Sequence, residues 1–324
     1  MIKNMNIVIT GGAGFIGSHL ADELIERGDS VYIIDNLETG RRGNVNSKAV
    51  FIEGDIADAD TIKELFDLAQ PDLVIHAAAS YKDQSNWSGD ILANILGTAN
   101  LVEAAIKHEV EKFIYFQTAL CYGHEPDVSP IPLLHHIDPD NSYSVSKTAG
   151  EQYIRFSDVD STSFRLANVY GPRNLSGPVP TFFHRLSNND DVFISSSRRD
   201  FIFISDLVKI VLANIDGVGE RDVYHISSGE DCSIEDIFEI VADEMGVDRN
   251  VQASYGRFKD DTKTLLIDPS VTLEDFNYIP DTPMSVGIPK ALEWYRQNGV
   301  TETYTHLSAE QLRTKASEQA EEVG

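Results

Sequence analysis

The stretch VITGGAGFIGSHL, residues 8–20, decides the fold. It begins with the β-branched residues of a strand and continues with the pattern of a helix. Gly11, Gly14 and Gly17 stand in GxxGxxG spacing within it. Glycine permits a tight turn and lets backbone N–H groups approach a pyrophosphate at the N-terminus of the helix. The stretch therefore predicts a strand–turn–helix unit that binds a dinucleotide.

A carboxylate, Asp35, ends the next strand-like run, about 20 residues further along the chain. At this place it can accept hydrogen bonds from the ribose hydroxyls of an adenosine, and it would repel a 2′-phosphate. The pattern therefore favours NAD over NADP, although Arg41 and Arg42 lie just beyond Asp35 and keep NADP open as an alternative.

Two later strand ends fit the same cofactor. Asp55 and Ile56 supply a carboxylate and an apolar side chain that can flank an adenine. The small residues of HAAAS (76–80) let a cofactor lie against the backbone. The complete set of predicted cofactor contacts is Gly11, Gly14, Phe15, Ile16, Gly17, Asp35, Asn36, Asp55, Ile56, Ala77 and Ala78, together with Tyr143 and Lys147.

Short β-branched runs alternate with helical patterns through the first half of the chain, and helices are predicted to begin near Phe15, Asp58, Asp90 and Ser142. Strands that are apolar on both sides and separated by helices predict an α/β fold, a Rossmann-type doubly wound parallel sheet. Ligands bind beyond the carboxyl ends of such strands. The predicted strands are NIVIT (6–10), VYIID (31–35), VFIEGD (50–55), LVIHAAA (73–79) and KFIYFQTA (112–119).

The alternation of strand and helix patterns becomes less regular after residue 171. The segment GPRNLSGPVP (171–180) is predicted to be a loop because it is rich in proline and glycine. Later strand and helix signals predict a smaller C-terminal lobe for the substrate, interleaved with the first. We expect an NAD-binding domain over 1–171 with a returning segment near 201–227, and a substrate lobe mainly over 172–300. The charged tail, 301–324, is predicted to be a surface helix or a frayed end.

The chain of 324 residues carries 26 Lys and Arg against 52 Asp and Glu, a formal net charge of −26. Nucleic acids and anionic membranes require cationic surface, so neither is an expected partner. No signal peptide and no apolar span of about 20 residues is recognisable, so a soluble cytoplasmic protein without membrane insertion is expected. Cys121 and Cys232 stand in no CxxC spacing, and His135–His136 has no ligand cluster in recognised spacing; neither a disulfide nor a metal site is expected.

The segment YSVSK places Tyr143 and Lys147 four residues apart, on one face of a predicted helix. A free tyrosine titrates near pH 10 and is a poor base at neutrality. A neighbouring ammonium group stabilises the phenolate and lowers the pKa of the tyrosine. The pair is therefore a candidate acid/base.

Three motifs occur in order: GxxGxxG after the first strand, Thr118 shortly before Tyr122-Gly123 after the fifth, and YxxxK at the start of the next helix. Together with DNLETG, GDIAD, VIHAAA, NILGT, RLANVYGPR and RDFIFISDLV, this set resembles the extended short-chain dehydrogenase/reductase family, in its NAD-dependent epimerase/dehydratase branch. The resemblance covers residues 6–298. It implies NAD as cofactor and a nucleotide sugar as substrate, with UDP-sugar favoured, and is greatest for UDP-hexose 4-epimerases of O-antigen and polysaccharide biosynthesis.

The resemblance also implies residue roles. Tyr143 would be the acid/base, Lys147 would lower its pKa and hold the nicotinamide ribose, and Thr118 would bind the reacting hydroxyl. Asn94 matches a position that supports the active-site helix, and packing within its own helix is the alternative role. The resemblance implies that the protein dimerises, as its relatives do, through the helices near 90–108 and 142–157, so a homodimer is expected. The predicted substrate contacts are Lys82, Thr118, Asn168, Arg173, Arg199 and Arg257.

The residues after Thr118 bear on the reaction. Dehydratases of the family typically carry an Asp-Glu pair there and decarboxylases a glutamate, whereas this chain has Ala119 and Leu120, which transfer no proton. The resemblance therefore implies 4-epimerisation through a transient 4-keto sugar. A decarboxylase, dehydratase or reductase on the same fold is the alternative. A dinucleotide-sensing protein without catalysis typically lacks the Tyr or the Lys, and both are present here.

Overall fold

The computed structural model describes residues 4–81, 83, 85–249, 253–256 and 264–304. Strands and helices alternate regularly through its first half, starting within a few residues of the predicted positions. The strands are β1 Asn6–Thr10, β2 Ser30–Asp35, β3 Val50–Glu53, β4 Leu73–His76, β5 Lys112–Thr118, β6 Ser161–Leu166, β7 Asn168–Tyr170, β8 Val192–Ser195, β9 Arg198–Phe203, β10 Val223–Ile226, β11 Asp231–Ser233, β12 Ala253–Gly256 and β13 Thr264–Leu265. The helices are α1 Phe15–Arg27, α2 Ala59–Ala69, α3 Trp87–Asp90, α4 Thr98–Lys107, α5 Ser142–Phe156, α6 Pro178–Asn188, α7 Ile204–Ile215, α8 Ile234–Met245, α9 Ser270–Phe276 and α10 Met284–Asn298.

Seven strands form one parallel sheet in the order β10-β6-β5-β4-β1-β2-β3. The order reverses between β1 and β4, and this reversal opens a crevice at the carboxyl ends of those strands. Strands β1 and β4 are almost wholly buried, as expected for a sheet covered on both faces. The predicted Rossmann-type doubly wound fold is confirmed.

The other strands form two smaller sheets. Strand β9 pairs with β7, β11 and β13, and β8 pairs with β12. Only Ala167 separates β6 of the large sheet from β7 of the small one, and α7 starts immediately after β9. The chain then returns to the large sheet, where β10 pairs with β6. The two groups of strands are therefore interleaved along the chain.

One predicted loop boundary needs correction. Pro178–Pro180, predicted as loop, form the first turn of α6, because proline fits the first helical turn, where an N–H has no intrahelical partner. In the predicted tail, Tyr304 forms a parallel bridge with Ser176 and is held in place. The tail beyond Tyr304 lies outside the described residues.

Candidate active site

The turn after β1 requires its glycines. Gly11 has a φ of +67°, and a Cβ there would lie 2.6 Å from the backbone nitrogen of Ala78. A Cβ on Gly17 would lie 2.5 Å from the carbonyl oxygen of Gly11. Cβ atoms in proteins do not make contacts this short, so neither position tolerates a side chain. The backbone of the turn is therefore uncovered beside the start of α1. The residues present therefore fit the pyrophosphate of a dinucleotide.

Asp35 is fixed at the end of β2 beside this turn. Its Oδ2 accepts a hydrogen bond from the N–H of Ala13 at 3.0 Å, and its Oδ1 accepts one from the N–H of Leu37 at 2.9 Å. Burial raises the pKa of the Asp35 carboxyl, and these N–H groups partly oppose the shift. Each oxygen keeps a further lone pair, so the carboxylate can still accept from ribose hydroxyls.

One continuous cleft of 1520 Å³ runs along the carboxyl ends of the strands. It exceeds the roughly 300–1,000 Å³ of an ordinary small-molecule site, so there is room for two ligands. All the predicted cofactor contacts line it. They are Gly11, Gly14, Phe15, Ile16, Gly17, Asp35, Asn36, Asp55, Ile56, Ala77, Ala78, Tyr143 and Lys147.

Thr118, Tyr143 and Lys147 line the same cleft from β5 and α5. Helix α5 begins with a capping box at Asn141, so Tyr143 stands in its first turn. The Thr118 Oγ1 accepts a hydrogen bond from the N–H of Leu120 at 3.2 Å. That contact occupies one lone pair and leaves the hydroxyl hydrogen of Thr118 available for a substrate oxygen.

Burial governs the titration of the pair on α5. Lys147 is only 2% exposed, its Nζ lies 4.0 Å from the ring centroid of Tyr115, and burial lowers its pKa to about 7. Burial, with Tyr81 and Asp90 nearby, raises the pKa of the Tyr143 phenol. In this structure the phenol therefore keeps its proton at neutral pH, and the activation of Tyr143 by Lys147 stays a prediction.

Lys147→Met is expected to raise the free energy of unfolding of the cofactor-free protein at pH 6 by roughly 2–4 kcal/mol. The folded state binds the ammonium proton of Lys147 less tightly than the unfolded chain does, where the pKa is 10.5. The cost of burying the charged side chain is therefore fully present below about pH 7. It is relieved as the pH rises towards 10.5. Denaturant titrations at pH 6 and pH 9 should show the advantage of the variant shrinking at pH 9.

Lys63→Met is the matched control, because Lys63 is exposed and paired with Asp67 on α2. It should give no such gain in stability. Equal free energies of unfolding for wild type and Lys147→Met at pH 6 would contradict a buried charge at Lys147.

Asn94 connects the loop after β4 to α5. The segment Ile91–Gly97 is a π-helical turn between α3 and α4, and Asn94 is buried within it. Its Oδ1 accepts from the N–H of Ser80 at 2.9 Å, and its Nδ2 donates to the Ser146 Oγ at 3.0 Å. The second contact ties Asn94 to α5, which carries Tyr143 and Lys147, and the first ties it to the loop after β4.

The predicted substrate contacts fall into three groups: residues that line the cleft, one residue that does not, and residues outside the described part of the chain. Asn168 and Arg199 line the cleft, and the Asn168 amide donates to the carbonyl oxygen of Asp200 at 3.0 Å. Arg173 is not among the residues that line the cleft, and its Nη2 lies 2.7 Å from the Oδ2 of Asp22 on α1. Its contact with the substrate stays a prediction. Lys82 and Arg257 lie outside the described residues.

A buried polar network beneath the cleft was missed by the sequence analysis. Arg165 on β6 pairs with Glu151 on α5 at 2.9 Å and donates to the Tyr122 hydroxyl at 2.7 Å. That hydroxyl also lies 2.6 Å from the His225 Nε2. These residues come from four separate segments, and the only signal in the sequence was the presence of charged residues within otherwise apolar strand and helix faces.

Both cysteines are free thiols, and burial raises the pKa of Cys121 to about 12. The structure also places Asp127 beside His135 and His136, with potential ligand atoms within 4.8 Å of one another. The two imidazoles are stacked, with centroids 4.2 Å apart and planes 26° apart. Nitrogen lone pairs lie in the ring planes, so those of nearly parallel rings do not converge on one ion. That no metal binds here stays a prediction.

Known proteins resemble this chain in sequence and structure. The model of the NAD dependent epimerase/dehydratase family matches residues 7–227. The Bordetella bronchiseptica enzyme WbmH, crystallised with NAD+, is 44% identical, with a TM-score of 0.87 over 91% of this chain and 99% of WbmH. WbmG of the same organism, crystallised with NAD and UDP, is 38% identical, with a TM-score of 0.86 over 95% and 99%. The UDP-glucose 4-epimerase of Thermotoga maritima, crystallised with UDP-glucose, is 31% identical, with a TM-score of 0.84 over 90% and 98%.

Proposed function

Because the chain belongs to the NAD-dependent epimerase/dehydratase family, we propose that it is a nucleotide-sugar 4-epimerase acting on a UDP-hexose or a derivative. The cofactor cradle, the Tyr143–Lys147 pair and the substrate half of the cleft all support a reaction on a bound nucleotide sugar. WbmG, which was crystallised with UDP, supports uracil as the base. A cytoplasmic role in polysaccharide biosynthesis is part of the proposal.

One observation carries the choice of reaction. Ala119 and Leu120 follow Thr118 in a short 3₁₀ turn and line the cleft beside it. Ala119 is 4% exposed and packs with Cys121 and Ile131 in an apolar cluster. Elimination of water from a keto sugar needs an acid and a base next to the reacting carbons. Alanine and leucine supply neither, and the apolar packing around Ala119 disfavours a charged residue there.

The roles of the side chains follow from their chemistry. NAD, when bound, supplies reversible oxidation and reduction at C4 of the sugar. Tyr143 removes the proton of the C4 hydroxyl and later returns it, and the Thr118 hydroxyl donates to the same oxygen. Lys147 stabilises the phenolate while its ammonium form persists. The transient 4-keto sugar rotates within the wide cleft and is reduced on its other face, which inverts the configuration at C4.

Incubation with UDP-glucose, UDP-galactose and their 2-acetamido derivatives, followed by proton NMR of the products, tests the proposal. The expected result is interconversion of one 4-epimeric pair with no net consumption of NAD. Release of water or CO₂, or a stoichiometric requirement for NADH, would instead identify a dehydratase, a decarboxylase or a reductase.

Arg199→Met is expected to weaken UDP binding by about 10- to 100-fold, because a charge-assisted contact to a phosphate contributes about 1.5–3 kcal/mol. Arg199 lines the cleft from β9. Calorimetric titration with UDP measures the loss, and NAD affinity should not change. Arg198→Met is the matched control, because the neighbouring Arg198 pairs with Asp231 at 3.0 Å. Equal UDP affinities for the two variants would contradict the assignment.

A homodimer is the proposed assembly. Helices α3 and α5 and the π-helical turn between α3 and α4 expose a group of large apolar side chains, and contiguous apolar patches of this kind commonly mark protein interfaces. A second copy of the chain covers such a patch by two-fold symmetry. The group is Trp87, Ile91, Leu96, Val145, Tyr153 and Phe156.

Phe156→Asp is expected to convert the dimer to a monomer, because it places an unpaired charge within the proposed apolar interface. Phe156 is 79% exposed in the single chain. Size-exclusion chromatography with light scattering measures the mass. Leu134→Asp is the control, since Leu134 is equally apolar and 96% exposed but lies on a loop. A monomeric wild type, or a variant that stays dimeric, would contradict this interface.

A further inference from the structure

The carboxyl end of β5 extends past the strand beside it. Strand β4 pairs with β5 only as far as Tyr115. The three residues that follow on β5, namely Phe116, Gln117 and Thr118, all line the cleft. At this end the N–H of Thr118 donates to the side-chain Oε1 of Gln117 at 2.8 Å. A side chain thus holds the backbone of the residue that carries the candidate catalytic hydroxyl.

Thr118 is fixed from two directions. Its backbone is extended, with φ −109° and ψ 149°, where β5 passes into the 3₁₀ turn. The Gln117 carboxamide holds its N–H, and the N–H of Leu120 donates to its Oγ1 at 3.2 Å. The first contact sets the peptide that precedes Thr118, and the second sets its side chain. The position of the hydroxyl oxygen therefore depends on both.

Gln117 reaches Thr118 from the face of the sheet that α5 covers. Alternate residues of a strand share a face, so Gln117 lies on the same face as Tyr115. The Tyr115 hydroxyl donates to the carbonyl oxygen of Lys147 on α5 at 2.9 Å. The register partner of Gln117 on β6, Arg165, contacts Glu151 on α5. One face of β5 thus holds both candidate partners of the Tyr143 phenol, since Tyr115 contacts Lys147 and Gln117 contacts Thr118.

The carboxamide of Gln117 is used at one end only. The side chain is 2% exposed, and its Nε2 is buried with no hydrogen-bond partner among the described residues. The two ends of the carboxamide cannot be exchanged, because a nitrogen in place of Oε1 would set two donors against each other. A buried donor without a partner costs about 1–3 kcal/mol. An apolar side chain would avoid this cost, and the contribution of the glutamine that offsets it is the acceptor for Thr118.

We propose that Gln117 is a positioning residue that places the Thr118 hydroxyl for the C4 oxygen of the sugar. The proposal rests on the proposed function, in which that hydroxyl donates to the oxygen whose proton Tyr143 removes. Gln117 acts through the backbone of Thr118 and takes no proton itself. Its contribution therefore belongs to the chemical step and not to the binding of either ligand.

Gln117→Met is expected to lower turnover by about 10- to 100-fold, because a small misplacement of a reacting group costs up to about 10² in rate. Turnover is measured by proton NMR as the loss of UDP-hexose, whatever product forms. The KM for UDP-hexose and the calorimetric affinities for NAD and UDP should stay close to wild type. Gln117→Leu is a second apolar variant and should behave in the same way.

Two variants separate positioning from a general loss of structure. Gln117→Glu keeps an oxygen that accepts from the Thr118 N–H and should retain most of the turnover. Gln297→Met is the control for loss of a carboxamide, because Gln297 is exposed on α10 and donates to Glu293 of the same helix. It should leave turnover unchanged. Gln117→Glu as slow as Gln117→Met would overturn the proposal.

A double variant tests whether Gln117 acts through the hydroxyl. In a Thr118→Val background, Gln117→Met should lower turnover by less than about twofold, because no hydroxyl is left to position. An equally large loss in both backgrounds, or full turnover of Gln117→Met, would overturn the proposal.

The products distinguish this proposal from the proposed function. A wild type that consumes UDP-hexose without forming the 4-epimer would sink the epimerase proposal and leave the role of Gln117 standing. Formation of the 4-epimer by Gln117→Met at the wild-type rate would do the reverse. A wild type that consumes no nucleotide sugar would overturn both.

Discussion

Tyr143→Phe is expected to lower the turnover of a UDP-hexose by about 10²- to 10⁴-fold, the range that a positioned acid/base contributes. The affinities for NAD and UDP should stay close to wild type. The Tyr143 phenol lies in the cleft with Thr118 and Lys147, and the substitution removes one oxygen while it keeps the ring that packs in the first turn of α5. Steady-state kinetics by coupled assay, with calorimetric titrations of both ligands, separates chemistry from binding.

Tyr32→Phe is the control for removal of a phenol oxygen, because Tyr32 lies on β2 and packs against the core. It should leave turnover unchanged. Tyr143→Phe with full turnover would exclude Tyr143 as the acid/base. A variant that lost NAD and UDP binding to the same degree as turnover would show a structural role instead.

Arg165→Met is expected to lower the free energy of unfolding by about 3–5 kcal/mol, the cost of leaving one charge of a buried pair without its partner. The Arg165 and Glu151 side chains are 5% and 1% exposed, and Glu151 also accepts from the Ser163 hydroxyl at 2.6 Å. Removal of the guanidinium leaves the carboxylate buried and takes a donor from the Tyr122 hydroxyl. Urea unfolding of the variant and the wild type at pH 7 measures the loss.

Arg165→Met combined with Glu151→Leu should recover most of that stability, because no buried charge is then uncompensated. Arg42→Met is the control, since Arg42 and Glu53 form an exposed pair, 63% and 57% exposed, and such pairs contribute about 0–1 kcal/mol. A double variant as unstable as Arg165→Met alone would show that packing of the arginine, rather than its charge, supports the site.

Most of the large sheet was predictable because its signals are local. Strands β1 to β5 are short apolar runs, each predicted helix has a clear start, and the glycines at 11, 14 and 17 leave little choice for the first turn. Strand β6, STSFRL, carries no such run and was not predicted. The candidate catalytic set followed from motif order for the same reason. Pro178 was assigned to a loop because the proline signal is the same in a loop and in the first turn of a helix.

The features that were missed depend on contacts between distant segments. Arg173 pairs with Asp22 on α1, and no local pattern in the sequence shows that pairing. The partners of Tyr122 come from β6 and β10. Tyr304 is the last aromatic residue before a charged tail, a weak signal that gives no indication of its contact with Tyr81.

The short connection at Ala167 limits how the cleft can open. Two lobes joined by hinge residues close as rigid bodies through a few large backbone rotations. Ala167 instead donates its N–H to the carbonyl oxygen of Ile226 at 2.9 Å, and α7 follows β9 without a linker. Rotation at either junction would break ordered backbone, so we expect ligands to enter and leave through nanosecond-to-microsecond motions of loops at the rim rather than slower lobe movements.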